Sequence, residues 1–513
     1  AAAMSESPYY LPLLFRLVLD VVENGATDMV ATVAAQYGVF LSMAGLVDQG
    51  YAVGCLAAVF RDRFGSRGGY VEHNVFVRHW VDPLRECLSE LREGAARCLD
   101  AGVLGDWGYC VNQAYKDAYL TGESLDELDA RYERDWLALT RHEQMPARGS
   151  LEIWGQAVAC LRSEAPDPAR LRGDRLDVEV VLPLWIGARV GPLVQYSVLL
   201  QVQLAYLFGD AERALALYDA QSELADGGIQ AMAFPHPVKC WYVALAALDV
   251  GGSELEDRLP WVLECREKLA TWAQRAPLNH AHRVALLDAE IARVQGRPLE
   301  AMDAYEEAIR QADEHPFPQD VALANERAGL FHDAAGRSAV AQSFLLHALE
   351  GYRRWGAVAK VAHLAGRFPT LATGDGAVPD LDLDTVLKAT AALNSEIRLE
   401  SLLVRMLQIS VEGAGASRGA VVLDVEAGLQ VRAVQTSADD APKVLAGVSI
   451  DDHLDIPAEA IRYCARTLER VLVDDVRRDS KLSGTQSLHV RNVRSVLCLP
   501  LLRQGELVGV LYL

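Results

Sequence analysis

A glycine-centred pattern that returns after 40 residues constrains this chain more than any other feature. In VQGRPLEAMDAYEEAIRQAD, one helix is expected to end at Gly296 and the next to carry Ala301, Ala304, Tyr305 and Ala308. In AAGRSAVAQSFLLHALEGY the corresponding places are Gly336, Ala341, Phe344, Leu345 and Ala348. Small residues seven apart with a larger one between them let a helix lie close to its antiparallel neighbour. The glycine supplies the left-handed turn that joins the pair. An earlier copy, YLFGDAERALALYDAQSELA, places Gly209, Ala214 and Tyr218 at the same spacing, and weaker copies are expected from Gly50-Tyr51 through Phe60 and from Gly122 through Leu137. A helical hairpin cannot bury its apolar face alone, so repeated hairpins stack on one another.

These glycine-turn helical pairs resemble tetratricopeptide repeats with longer, less regular helices. The resemblance implies an α-α solenoid whose concave surface binds a protein or another domain. An irregular helical domain is the alternative for the first half, and helical content is expected under either reading. At 513 residues the chain exceeds one compact core. Its 51% hydrophobic content with only 7% aromatics favours close-packed helices over a large all-β protein. The net charge of −21, from 49 Lys+Arg against 70 Asp+Glu, repels phosphate backbones and anionic lipid. Nucleic acid and membrane surfaces are therefore not expected partners. Arg477-Arg478, a local basic run, reads as a solvated surface.

Nine cysteines lie scattered without a C-x-x-C pair, as expected of small core hydrophobes in a reducing compartment. No signal peptide opens the chain, and Ala1-Ala2-Ala3-Met4 reads as a cloning scar. The apolar run Val190–Phe208 contains Gln195, Gln201 and Gln203, with Arg189 at its edge, so a buried array helix is expected rather than a membrane span. The chain is expected to be soluble and cytoplasmic.

No phosphate-cradling G-x-x-x-x-G-K-[ST], G-x-S-x-G, H-E-x-x-H or kinase catalytic loop is present in the helical region. His280 and His282 are two apart on a helix and should diverge, and His73 and His79 are no better spaced for a metal. Trp80, Trp107, Trp136 and Trp154 read as core anchors. No catalytic or metal-binding residue is assigned, and no cofactor is required.

Proline and glycine in PTLATGDGAVPD end the array, which sets an array over residues 4–368, a linker over 369–380 and a second domain over 381–513. Two successive amphipathic helices follow, one with a seam of Val386, Thr390, Leu393 and Ile397, the other with Leu402, Leu403, Met406 and Ile409. The first seam either pairs with a second copy of the chain or packs on the domain that follows. RGAVVLDVEAGLQVRAVQTS then predicts strand, turn and strand. IPAEAIRYCARTLERVLVDD predicts a proline-capped helix leading into a strand at Val471–Val473. SVLCLPLLRQGELVGVLYL predicts a hairpin turning at Gln504-Gly505, apolar on both faces as in a covered sheet.

This order resembles a GAF domain, an α+β fold with an antiparallel sheet flanked by helices. Ala416-Ser417-Arg418-Gly419, Val473-Asp474-Asp475, the run from Arg494 to Leu501 and Gly509-Val510-Leu511-Tyr512-Leu513 carry the match. The domain is expected to stop before its closing helix. Gly351-Tyr352-Arg353-Arg354-Trp355-Gly356-Ala357, Lys360, and the segment from Trp80 to Glu123 with Pro83-Leu84-Arg85 and Leu120-Thr121-Gly122-Glu123 resemble a family of very large bacterial signalling proteins. There a Ser/Thr-kinase-like domain and a STAND-type ATPase precede the repeats, and the GAF domain leads into a histidine kinase of the two-component type. The resemblance implies a non-catalytic regulatory stretch between those domains.

GAF domains bind small molecules or serve as dimer interfaces. The candidate ligand-binding residues are Asp475, Ser480, Lys481 and Ser483 in a polar loop, with Ser495 and Cys498 on the following strand. The motif associated with cyclic-nucleotide binding is not visible. Neither Cys464 nor Cys498 precedes a histidine, as bilin-attaching cysteines often do, and His453 and His489 read as solvated. No ligand is named. The expected function is sensing or dimerisation by the GAF domain and protein or interdomain binding by the repeats. The alternative is a purely structural scaffold with a ligand-free GAF domain.

Overall fold

Glycine turns organise the helical part as the repeat requires. Gly122, Gly209, Gly296 and Gly336 have φ of 73°, 84°, 68° and 72°, each just past a helix end. The Gly336 N–H donates to Asp333 O at 2.9 Å and the Arg337 N–H to His332 O at 2.9 Å, and Gly296-Arg297 repeats the pair with Arg293 O and Ala292 O. These bonds satisfy carbonyls that the ending helix leaves open. Proline then starts the helices Pro277–Val294, Pro298–Glu314 and Pro318–Ala334, where a missing N–H costs nothing. The predicted contact residues Ala301, Tyr305, Ala308, Ala341, Leu345 and Ala348 are all buried.

The computed structural model describes residues 9–25, 27, 29–65, 68–222, 228–314, 317–371, 399–414, 416–425, 428–437, 442–450, 456–468, 470–473, 495–503 and 506–513. Two compact units divide the chain, Ala1–Gly374 and Asp375–Leu513. In the first, the apolar run around residue 200 forms the helix Gly191–Leu207, buried throughout from Val194 to Leu207. Its amides are used internally: Tyr119 Oη donates to Gln203 Oε1 at 2.8 Å, and Gln203 Nε2 donates to Tyr242 Oη at 3.0 Å. Among the described residues, no helix is long and apolar enough to cross a membrane.

Two findings correct the reading of the array. Gly50 does not make a turn; it lies inside the helix Val47–Phe64, and Gly45 (φ 82°) makes the turn before it. A Cβ at Gly50 would come within 2.7 Å of Gly38 O and 2.2 Å of Ser42 Oγ, so this glycine permits close helix contact. Nor is the array open in the manner of a one-dimensional solenoid, where each repeat meets only its neighbours. Asn279 Nδ2 donates to His79 O (2.8 Å) and Asp82 O (2.9 Å), and its Oδ1 accepts from Leu84 N (3.0 Å). Gln319 Nε2 donates to Leu120 O at 2.8 Å, and Lys360 Nζ donates to Leu207 O. Segments far apart in sequence thus close on one another through the buried side chains of Asn279, Gln319 and Lys360.

The second unit is an antiparallel sheet with strands β1 (Gly419–Val425), β2 (Gly428–Gln435), β3 (Lys443–Ser449), β4 (Val471–Val473), β5 (Val496–Arg503) and β6 (Glu506–Tyr512) in the order β3-β2-β1-β6-β5-β4. Both predicted hairpins form, closing at Val425↔Gly428 and Arg503↔Glu506. Strand β3 was not expected. It is an edge strand with exposed Val444, and Gly447 adopts φ 93° within it, so apolar alternation is weak. The helix Leu399–Ala414 covers one face: Leu403, Leu407 and Val411 pack with Val421, Ala433 and Leu511. The predicted seam through Val386, Thr390, Leu393 and Ile397 lies outside the described residues.

Candidate functional site

Alternation along β5 sends Val496 and Cys498 to one face of the sheet and Leu499 and Leu501 to the other. On the first face Cys498 and Val496 join Val510 and Tyr512 of β6, Val471 and Val473 of β4, and Ala460, Ile461 and Cys464 of the helix Ala458–Thr467. That helix forms because Pro457 precedes it and its apolar residues recur at helical spacing. Leu468, in the left-handed region at φ 57°, ends it.

The six candidate ligand-binding residues fare differently. Asp475, Ser480, Lys481 and Ser483 lie outside the described residues. Ser495 is exposed immediately before β5, while Cys498 is wholly buried and registers with Val471 on one side and Tyr512 on the other. Burial, with Cys464 close by, pushes the Cys498 thiol up to about 12, and burial also raises Cys464. A thiol held neutral is a poor nucleophile or metal ligand, so Cys498 serves this face as apolar wall. Tyr512, not among the expected site residues, is almost fully buried and registers with both Cys498 and Ala420.

The histidines singled out in the helical region are packed inside it. His282 Nε2 lies 2.8 Å from Asp320 Oδ2, to which Arg283 Nη2 also donates at 2.8 Å. His280 stacks on Phe234, and burial with nearby Arg283 holds it neutral. His79 Nε2 sits 2.9 Å from Met232 O, and burial lowers its pKa to about 3. Burial likewise lowers His73 to about 3.

Sequence reasoning missed the buried charge networks of this unit. Glu290, fully buried, accepts from Arg327 Nε (2.8 Å) and Nη2 (2.9 Å), Arg293 Nε (2.6 Å) and Tyr305 Oη (2.6 Å). Burial alone would raise its pKa; the two arginines and these hydrogen bonds hold it well below the usual carboxylate range. Glu326 similarly accepts from Tyr352 Oη and Lys360 Nζ, each at 2.7 Å. The signal was present in Tyr305, Tyr352 and Lys360, polar groups at otherwise apolar positions.

Residues 396–513 match the family model of the GAF domain. Over 134 residues the chain is 23% identical to the peroxide stress-activated histidine kinase mak3 of Schizosaccharomyces pombe, a stretch that covers 26% of this chain and 6% of that kinase. The antiparallel sheet and its covering helices are thus a GAF domain. The chain spans only about 6% of that relative's length.

Proposed function

We propose that this chain is a non-catalytic regulatory module of a larger cytoplasmic signalling protein. In this reading the GAF domain senses a small molecule, dimerises, or does both, and the helical array binds a protein or another domain. The observation that carries it is the GAF domain itself: a six-stranded antiparallel sheet with helices on both faces, over residues matched to that family. Sheet-flanking helices couple ligand binding to movement only where the ligand prefers one of two states. Likeness to a histidine kinase supports a place in phosphoryl-transfer signalling. The tetratricopeptide-like turns and the resemblance around Trp355 and Lys360 support a position between a STAND-type ATPase and a kinase. The net charge of −21 supports protein or small-molecule partners over nucleic acid or membrane.

One observation favours the scaffold alternative, in which the GAF domain is ligand-free. The described interface between the sheet and the helix Ala458–Thr467 is filled by Cys498, Tyr512, Ile461 and Cys464. A thermal-shift screen of nucleotides and metabolites on the full chain separates the two. Sensing predicts that at least one compound raises the melting temperature of the GAF transition, whereas a flat response to the whole panel rejects it. Detectable ATP hydrolysis by the chain alone would reject the non-catalytic assignment.

A further inference from the structure

A groove of about 580 Å³ in the helical unit has a hydrogen-bonding inventory that is unbalanced in one direction. Its volume falls within the range of small-molecule sites. Its carboxylates are already engaged: Asp249 accepts from Arg327 and Arg293, and Glu326 from Lys360 and Tyr352. Its donors are not. Arg293 uses Nε on Glu290 and Nη2 on Leu248 O, which leaves Nη1 without a partner among the described residues. Arg367 is exposed, and no carboxylate among the described residues pairs with it. His363 lies one helical turn before Arg367 on the same face, and its Nδ1 makes no hydrogen bond within the described chain. The Tyr206 hydroxyl, in the groove wall and buried, has no partner there either. Leu323 and Phe331 add apolar lining.

The spare donors of Arg293, Arg367 and Tyr206 beside satisfied carboxylates favour an acceptor-rich, negatively charged group, and an arginine fork suits a carboxylate. The apolar lining suits a hydrocarbon body. This local character stands out on a chain whose net charge is −21. We propose that this groove binds a small organic acid, with its carboxylate at Arg367 and Arg293 Nη1 and its apolar body toward Leu323 and Phe331. All of its lining residues belong to the helical unit, so it would give the array a ligand of its own.

The test uses 3-phenylpropionate as probe, its uncharged amide and inorganic phosphate as controls, and saturation-transfer NMR on the full chain. Binding of the acid but not the amide is expected. Loss of one charge-assisted bond in Arg367→Gln should weaken it about tenfold. Because Arg367 is exposed, its melting temperature should not change. Tyr206→Phe, which deletes only an unbonded hydroxyl, should fold normally and still bind the acid, and loss of all binding in this folded variant would also overturn the proposed pose. The proposal is overturned if the acid does not bind, if the amide binds equally, or if Arg367→Gln leaves affinity unchanged. It is also overturned if inorganic phosphate binds as tightly as the acid, since the apolar lining would then contribute nothing.

Discussion

Removing the carboxylate of Glu290 should be among the most damaging single changes in the helical unit. Glu290 joins the helix Pro277–Val294, through Arg327 and Tyr305, to Pro318–Ala334 and Pro298–Glu314. Arg327 extends the network to Asp249 at the end of a further helix, Pro235–Asp249, at 2.6 Å. In Glu290→Ala the two guanidiniums lose their buried counter-charge and keep only the more exposed Asp249, and the Tyr305 hydroxyl loses its acceptor. Breaking a buried pair in this way costs about 3–5 kcal/mol. With an unfolding entropy of about 2 cal/mol/K per residue, a helical unit of this size loses about 1.4 °C per kcal/mol, or about 4–7 °C in all. Tyr305→Phe removes one charge-assisted bond and should cost about 1.5–3 kcal/mol, a smaller shift.

Differential scanning calorimetry at pH 7 reads the loss, and repeating it in 1 M salt separates buried from surface pairing. Salt screens exposed ions strongly and buried ones little, so the loss should persist. A pH series adds a second check. Because the folded Glu290 titrates below its unfolded value, its stabilisation is present above about pH 4.3 and disappears as pH falls below that. Glu290→Gln should flatten that part of the profile. A melting temperature for Glu290→Ala within about 1 °C of the parent, or a loss abolished by salt, would refute the reasoning.

Three further outcomes follow from the same structure. Gly50→Ala places a Cβ 2.7 Å from Gly38 O and should cost about 1–3 kcal/mol by overpacking; denaturant unfolding checks this, and an unchanged midpoint counts against the close contact. His79 is buried with its pKa lowered to about 3, so the unfolded chain takes up a proton first and stability falls as pH drops from about 6.5 toward 3. His79→Phe should reduce that slope in melting curves, and an unaltered slope would count against neutral burial. Cys464 and Cys498, buried and raised in pKa, should react with a thiol reagent only as fast as the GAF domain opens; rapid labelling of the native chain would disagree.

What could be read from the sequence was local. Gly296 and Gly336 announced their turns because a left-handed residue at a helix end leaves a short-range pattern. The hairpins around residues 426 and 505 were legible because apolar alternation flanks turn residues on both sides. Gly50 misled because glycine serves both turning and close approach, and the residue type does not say which. Strand β3 was hidden by an exposed edge and an interior glycine. Closure of the array was invisible because Asn279 and Gln319 bond backbone groups about 200 residues away, and no sequence period records such pairing. At the candidate GAF site, Cys498 matched a buried strand residue by its apolar neighbours. The polar loop of Asp475, Ser480, Lys481 and Ser483 lies outside the described residues.

Native mass spectrometry of the full chain, gently purified and examined over a range of concentrations, tests the regulatory reading most directly. It reports bound mass and oligomeric state together, the two properties by which a GAF domain acts. The account predicts either a dimer or a monomer carrying a small molecule that collisional activation releases. A bare monomer at every concentration, unaltered by a metabolite mixture, would contradict it.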